Sequence, residues 1–270
     1  MNNYSQIISG ITNTAWAIMP SKMDEIMCLL DKKVAGVDVE FNAAAKRSRS
    51  QFVKTAVLPL YGVVSQKMNL MTQYSGGTST ELFSLWFDEA MADDSVNRVI
   101  LDVDSPGGSV YGISELSRKI YKSRGKKPII AVANSLIASA AYWVASAADE
   151  IHVTPGGEVG SIGVIAVHVD RSEQNKEDGI HVSYITAGKY KAEANPDEPL
   201  TDEARGYIQS RVDEYYSMFV GDIARNRGIS RDKVVNDFGQ GRVFGADAAV
   251  KAKMADKISS FEYVVKLSTK

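Results

Sequence analysis

The sequence predicts an α/β fold with a largely parallel sheet, built from βαβ units with right-handed crossovers. Three observations carry this. Short apolar, β-branched runs recur at Val99-Ile100-Leu101-Asp102-Val103, Ile129-Ile130-Ala131-Val132-Ala133 and Glu150-Ile151-His152-Val153. The stretches between them space their apolar residues at helical intervals. Glycine turns mark the joins, at Ser105-Pro106-Gly107-Gly108 and Gly160-Ser161-Ile162-Gly163. With 270 residues, 44% of them hydrophobic, the chain can bury a substantial core.

Residues 1–50 read as a prelude to a folded domain over 51–270. Pro20, followed by Ser21 to Glu25, suggests a cap and an acidic first turn for a helix running to about Lys33. Cys28 lies in that helix, where burial is the expected role. It is the one cysteine of the chain, so no internal disulfide forms and no cysteine cluster suggests zinc. The segment Ala43-Ala44-Ala45-Lys46-Arg47-Ser48-Arg49-Ser50 is a small, basic linker, open to proteolysis. Lys54 to Val64 gives the first strand, and Met68 to Gly77 a loop. Thr80 opens a helix through Phe83, Trp86 and Ala90, with one buried face. Strand Val99–Val103, the glycine turn and a helix from about Val110 to Ser123 follow. Strand Ile129–Ala133 leads to a helix opened by Ser139, and then strand Glu150–Val153. Asp202 to about Arg227 is a long amphipathic helix with Tyr207, Tyr215, Phe219 and Ile223, one face of which is available to another subunit. Gly228 ends it, Ser230 caps the next helix, and a further one follows Gly245. Phe261 to Val265 fits either a strand or a helix.

A net charge of −2 gives no global attraction to nucleic acid or anionic membrane. No apolar run approaches the roughly 18 to 20 residues of a membrane span. Met1-Asn2-Asn3-Tyr4 lacks the basic start and apolar stretch of a secretory signal, so a cytoplasmic protein without a membrane anchor is expected. No cluster has metal-ligand spacing, so neither metal nor cofactor is expected.

Ser139 stands where an apolar strand gives way to the small-residue run Ala140-Ala141-Tyr142-Trp143. A strand-to-helix turn holds a hydroxyl in the open and aims the first helical amides at the carbonyl it attacks. The amides of Gly107 and Gly108, with that of Ala140, suit an oxyanion site. Serine is also a common cap and glycine a common turn residue, so each feature alone is weak. His152, His168 and His181 lack an acidic orienting pattern and suit core or edge-strand roles. A lysine is ordinarily protonated, with a reference pKa near about 10.4, but burial can turn it into a base. Lys189 and Lys191, in Gly188-Lys189-Tyr190-Lys191, are both candidates on residue chemistry. Ser161 could orient the amine by a hydrogen bond. Nucleophile, oxyanion turn and lysine base describe a serine protease of the Ser–Lys kind.

Four stretches in order resemble the signal peptide peptidase A family of Ser–Lys proteases: Asp104-Ser105-Pro106-Gly107-Gly108, Ala138-Ser139-Ala140-Ala141-Tyr142-Trp143, Gly160-Ser161-Ile162-Gly163-Val164 and Gly188-Lys189-Tyr190-Lys191. The resemblance runs from about Val57 to about Ile258. It implies a crotonase- and Clp-protease-like fold, with Ser139 as nucleophile, Lys191 rather than Lys189 as general base, and Ser161 against the lysine. Family members often carry two glycines after the nucleophile; Ala140 and Ala141 here keep the amides but tighten the pocket. One copy of the fold, without an anchor, is most like the phage-encoded proteases that mature capsids. The resemblance therefore implies peptide or unfolded-segment substrates, with scaffold, portal or coat proteins as partners. It further implies a closed ring, of eight subunits, in which the base is borrowed from a neighbour. The competing readings are a soluble host signal-peptide or cytosolic peptidase, a catalytically silent assembly scaffold, and a crotonase-type enzyme, for which no acyl-CoA site is signalled.

Overall fold

A computed structural model of the chain describes residues 11–12, 14–34, 50–52, 54–67 and 76–266. Strand β1 (Trp16–Ile18) precedes helix α1 (Pro20–Val34), and β2 (Ser50–Phe52), β3 (Thr55–Tyr61), β4 (Val64–Ser65) and β5 (Thr78–Ser79) follow. Then come α2 (Thr80–Ala92), β6 (Arg98–Ser105), β7 (Gly107–Ser109), α3 (Ile113–Ser123), β8 (Ile129–Ala138), α4 (Ala140–Ala145), β9 (Glu150–Val153) and β10 (Glu158–Gly160). The last part holds α5 (Ser172–Glu177), α6 (Asp202–Arg227), α7 (Arg231–Asp237), β11 (Val243–Gly245), α8 (Ala246–Ala252), β12 (Lys257–Ile258) and α9 (Phe261–Lys266).

The larger sheet runs β11-β10-β8-β6-β3-β2, with β9 beside the first half of β8 and β12 beside β9. Its central pairings are parallel, and only the outer β2 and β11 pair antiparallel. Val99, Ile100, Leu101 and Val103 are fully buried, as a parallel strand covered on both faces requires. The predicted α/β class with a mostly parallel sheet is the observed one. A smaller sheet, β1-β7-β4-β5, stands apart from it.

The end of β8 determines where the site lies. Its first half pairs with β9 through Ile130–Ala133, and its last three residues pair with β10. Against β6 the register shifts between Val103 and Ser105, whose partners are Ala133 and Ile137. The extra residues bulge out at Asn134 and Ser135, both exposed, and a bulge redirects the strand beyond it. The redirected end of β8 runs straight into Ser139.

Beneath the site, all six residues of α4 are buried. The Trp143 ring stacks on Phe219 of α6 at 4.5 Å between centroids. Its Nε1 donates to Asp222 Oδ2 at 2.8 Å, which also accepts from Ser114 Oγ at 2.7 Å. Arg225 Nη1 donates to the other oxygen of Asp222 at 2.6 Å. Past the end of α4, Arg124 takes the carbonyls of Ser146, Ala147 and Ala148.

Several elements differ from expectation for identifiable reasons. Helix α1 begins at Pro20 itself, whose fixed φ and missing N–H suit a first helical position, so its acidic residues fall after the first turn. Cys28 is exposed, not buried. Met23, Ile26 and the partly buried Leu30 mark the inward face of α1, and residue 28 is turned away from it. Helix α3 starts at Ile113, because Ser109 is still strand and Gly112 sits at φ 77°. The C-terminal segment is the helix α9, not a strand. The linker over 43–49 and most of the loop over 68–77 lie outside the described residues.

Candidate active site

The nucleophile candidate is held in an uncommon conformation. Ser139 has φ 55° and ψ −120°, a combination that costs a non-glycine residue about 1–3 kcal/mol and persists only where its surroundings impose it. Those surroundings are specific. The Ser139 amide donates to the Gly160 carbonyl at 2.7 Å, and its own carbonyl accepts from Trp143 N at 3.0 Å. The side chain is fully buried rather than held in the open as the turn predicts, and Oγ has no hydrogen-bond partner among the described residues. A buried hydroxyl without a partner carries a desolvation cost of about 1–3 kcal/mol.

Three of the four sequence motifs meet here. A Cβ added to Gly107, at φ 97°, would lie 2.8 Å from Ser139 Cβ and 3.0 Å from the Ala140 nitrogen. Glycine at this position is therefore what lets β7 approach the turn. The Gly107 amide donates to Ser105 Oγ at 3.2 Å, and Ser105 Oγ itself donates to Gly62 O at 2.6 Å. A Cβ at Gly108 would run into the backbone of Val64 at 1.8 Å. Ser161 is buried, at φ 55°, with its amide on the Arg242 carbonyl at 2.8 Å. Through Gly160 it is tied to the nucleophile turn.

The fourth motif is placed differently. Gly188 to Lys191 lies in an exposed run without regular secondary structure before it, and no hydrogen bond joins Lys191 to Ser139. The two lysines are nonetheless unlike. Lys189 Nζ lies 2.9 Å from both Tyr190 Oη and Glu203 Oε1. The hydrogen bond to Tyr190, and then that to Glu203, hold the Lys189 amine above the ordinary lysine range, which keeps it protonated and leaves less free amine to accept a proton. No described residue forms a hydrogen bond or ion pair with the Lys191 amine. Tyr190, between them, lines a cavity of about 340 Å³ with Ala15, His168, Arg211 and Tyr215.

None of the histidines partners Ser139. His152 is buried, with Nδ1 2.7 Å from Ser259 Oγ and Nε2 2.7 Å from Glu150 Oε2. His168 borders the cavity, and His181 is exposed. Among the described residues no group of His, Cys, Asp and Glu could hold a metal ion, and no helix is long and apolar enough to cross a membrane.

Sequence reasoning missed β1. Trp16–Ile18 pairs antiparallel with β7, the strand that carries Gly107 and Gly108. Three apolar residues before Met19-Pro20 gave too short a signal to read as a strand.

Known proteins resemble the chain along most of its length. The head-tail preconnector protein GP5 of Enterobacteria phage P21 is 29% identical over 95% of this chain and 55% of its own. The capsid assembly protease C of Escherichia phage lambda is 32% identical over 75% of this chain and 46% of its own. The chain thus spans about half the length of these curated relatives. Among solved structures, a 1510-N membrane-bound stomatin-specific protease aligns over 78% of this chain and 82% of its own, at a TM-score of 0.48 and 15% identity. The family model of peptidase family S49 matches residues 122–270, which hold Ser139, Ser161 and Lys191, and by this match the chain belongs to that family.

Proposed function

We propose that the chain is a serine endopeptidase with a Ser139–Lys191 dyad, acting on scaffold, portal or coat protein during phage head assembly. The observation that carries this is the convergence of Gly107, Ala140 and Gly160 on a strained, buried Ser139. Ser139 Oγ attacks the scissile carbonyl carbon, and its proton passes to the Lys191 amine. The amides of Gly108 and Ala140 receive the negative charge that develops on the oxygen, whereas the Gly107 amide is already given to Ser105 Oγ; one oxyanion donor is worth about 10² to 10³ in rate. Ser161, tied to the same turn through Gly160, orients the amine. The amine then protonates the leaving nitrogen, and water hydrolyses the acyl ester. Phage head proteins among the relatives support the assembly role.

The base comes from a neighbouring subunit of a closed, eight-membered ring. Two facts support a borrowed base. Ser139 Oγ has no partner within its own chain's described residues. Lys191 ends an exposed segment that also shows Ile180, Val182, Tyr184 and Ile185 to solvent, the last at 99% exposure, and apolar surface of this extent marks an interaction site. The test incubates wild type and Ser139→Ala with candidate capsid proteins and identifies products by mass spectrometry. Defined fragments from the wild type alone are expected; the same fragments from Ser139→Ala would overturn the proposal.

A further inference from the structure

Strand β1 lies beside the candidate nucleophile turn, and it lies there as an extended peptide. The bonds Met19 N to Pro106 O at 2.9 Å and Val110 N to Ala15 O at 3.4 Å bracket the β1–β7 ladder. The alternation of an antiparallel ladder then makes Ala17 and Gly108 the pair that exchanges both N–H···O bonds. The Ala17 carbonyl thus accepts the amide of Gly108, one of the candidate oxyanion donors. On the opposite edge, Trp16 N donates to Ile165 O at 2.9 Å and Ile165 N donates to Trp16 O at 2.8 Å. The segment from Ala15 to Ile18 is therefore gripped through its backbone on both sides, the manner in which an extended peptide adds to a sheet edge.

The Ala17 carbonyl also lies beside the nucleophile turn. The Cβ position at Gly107 that falls 2.8 Å from Ser139 Cβ and 3.0 Å from Ala140 N falls 2.3 Å from the Ala17 oxygen. Carbonyl oxygen, nucleophile and first helical amide converge on one point. Ala17 and Ser139 are both fully buried, so β1 shares in shutting the hydroxyl away from solvent. The residue at this crowded point is small, as the space requires.

We propose that the peptide bond between Ala17 and Ile18 is a self-cleavage site, the first bond this protease cuts; the inference rests on the endopeptidase reading above. Ser139 Oγ adds to the Ala17 carbonyl carbon, and the C–N bond to Ile18 breaks. The serine proton, carried by the lysine base, ends on the new Ile18 amine. Water then hydrolyses the Ala17 ester, leaving an Ala17 carboxylate and restoring the Ser139 hydroxyl. Departure of the piece ending at Ala17 clears the groove between β7 and Ile165 for other chains.

The test follows intact mass and amino-terminal sequence of the purified full chain over time, for wild type and Ser139→Ala. Fluorescently labelled unfolded casein serves as an outside substrate in the same samples. The expected result is a wild-type product beginning at Ile18, and no such product from Ser139→Ala, whose thermal melt shows that it is folded. Wild-type protein that digests casein while its Ala17–Ile18 bond stays intact would overturn the self-cleavage and leave the endopeptidase standing. An Ile18 terminus that also forms in Ser139→Ala would assign the cut to another protease and overturn it too. Wild type that cuts neither casein nor itself would remove the endopeptidase reading along with it.

Discussion

The two halves of the candidate site are built in opposite ways. The nucleophile turn rests on a six-residue helix with every side chain buried, pinned by Asp222, Arg124 and the Gly160 carbonyl. The lysine half is an exposed run from about residue 178 to 191 with apolar side chains facing solvent. The first half has its geometry imposed by the protomer's own core. The second is held by a few exposed side-chain bonds, such as those of Lys189 and Tyr190 to Glu203, and in the proposed ring a neighbour would add to them.

The sharpest test of this division is mutational. Ser139→Ala and Lys191→Ala are each expected to lower peptide cleavage by about 10⁴-fold or more, with Lys191→Ala melting as wild type does and Ser139→Ala, which loses an unpartnered buried hydroxyl, melting no lower. Mixed under conditions of subunit exchange, the two inactive proteins should regain part of the activity, because some interfaces then pair an intact Ser139 with an intact Lys191. No recovery despite demonstrated exchange places both residues in one protomer's site. Activity that survives Lys191→Ala but not Lys189→Ala makes Lys189 the base.

The built half should be fragile to one distant change. Asp222→Ala leaves Trp143 Nε1, Ser114 and Arg225 without their shared acceptor. A loss of about 3 kcal/mol in urea unfolding is expected, since breaking a buried pair strands its partners. A loss within experimental error would show that α4 does not depend on that hub.

Acid should act on the folded protomer outside the site. Burial pushes the Asp256 carboxyl up, but its hydrogen bond to Arg227, the Arg227 charge and the Ile151 amide outweigh burial and hold it below the usual range. A carboxylate depressed in the folded state contributes stability that is complete above its unfolded value and is lost as pH falls through the folded one. The melting temperature should therefore drop on acidification below the ordinary carboxylate range, and Asp256→Asn should flatten that drop. An identical slope in the variant would assign the acid sensitivity elsewhere.

The smallest effect belongs to the exposed half. Ile185→Asp is expected to change protomer stability by no more than about 0.5 kcal/mol. Sedimentation should nevertheless show a smaller assembly. Unaltered assembly would remove this segment from the subunit contact.

What could be read in the sequence tracks physical signal strength. The strands of the large sheet were legible because burial on both faces leaves continuous runs such as Ile129–Val132, and α6 because its apolar residues keep helical spacing and Gly228 ends it. The short strands β1, β4, β5 and β7 span two or three residues, too few for a period to register. Cys28 misled because residue type was read without the phase of its helix. At the site, glycines and the serine stood out, while the backbone angle of Ser139 is set by β8, β10 and α4 together and has no local sequence mark. The contrast between Lys189 and Lys191 depends on Glu203, a residue distant enough in sequence that no motif contains it.

The φ of 55° at Ser139 puts durability and function in competition at a single codon. Glycine adopts such angles freely, so Ser139→Gly relieves the strain and removes an unpartnered buried hydroxyl at once. Variants screened only for surviving heat or long storage would accumulate glycine there and lose the nucleophile without any warning from yield, solubility or melting temperature. Any programme that hardens this scaffold has to hold position 139 fixed and seek its gains elsewhere.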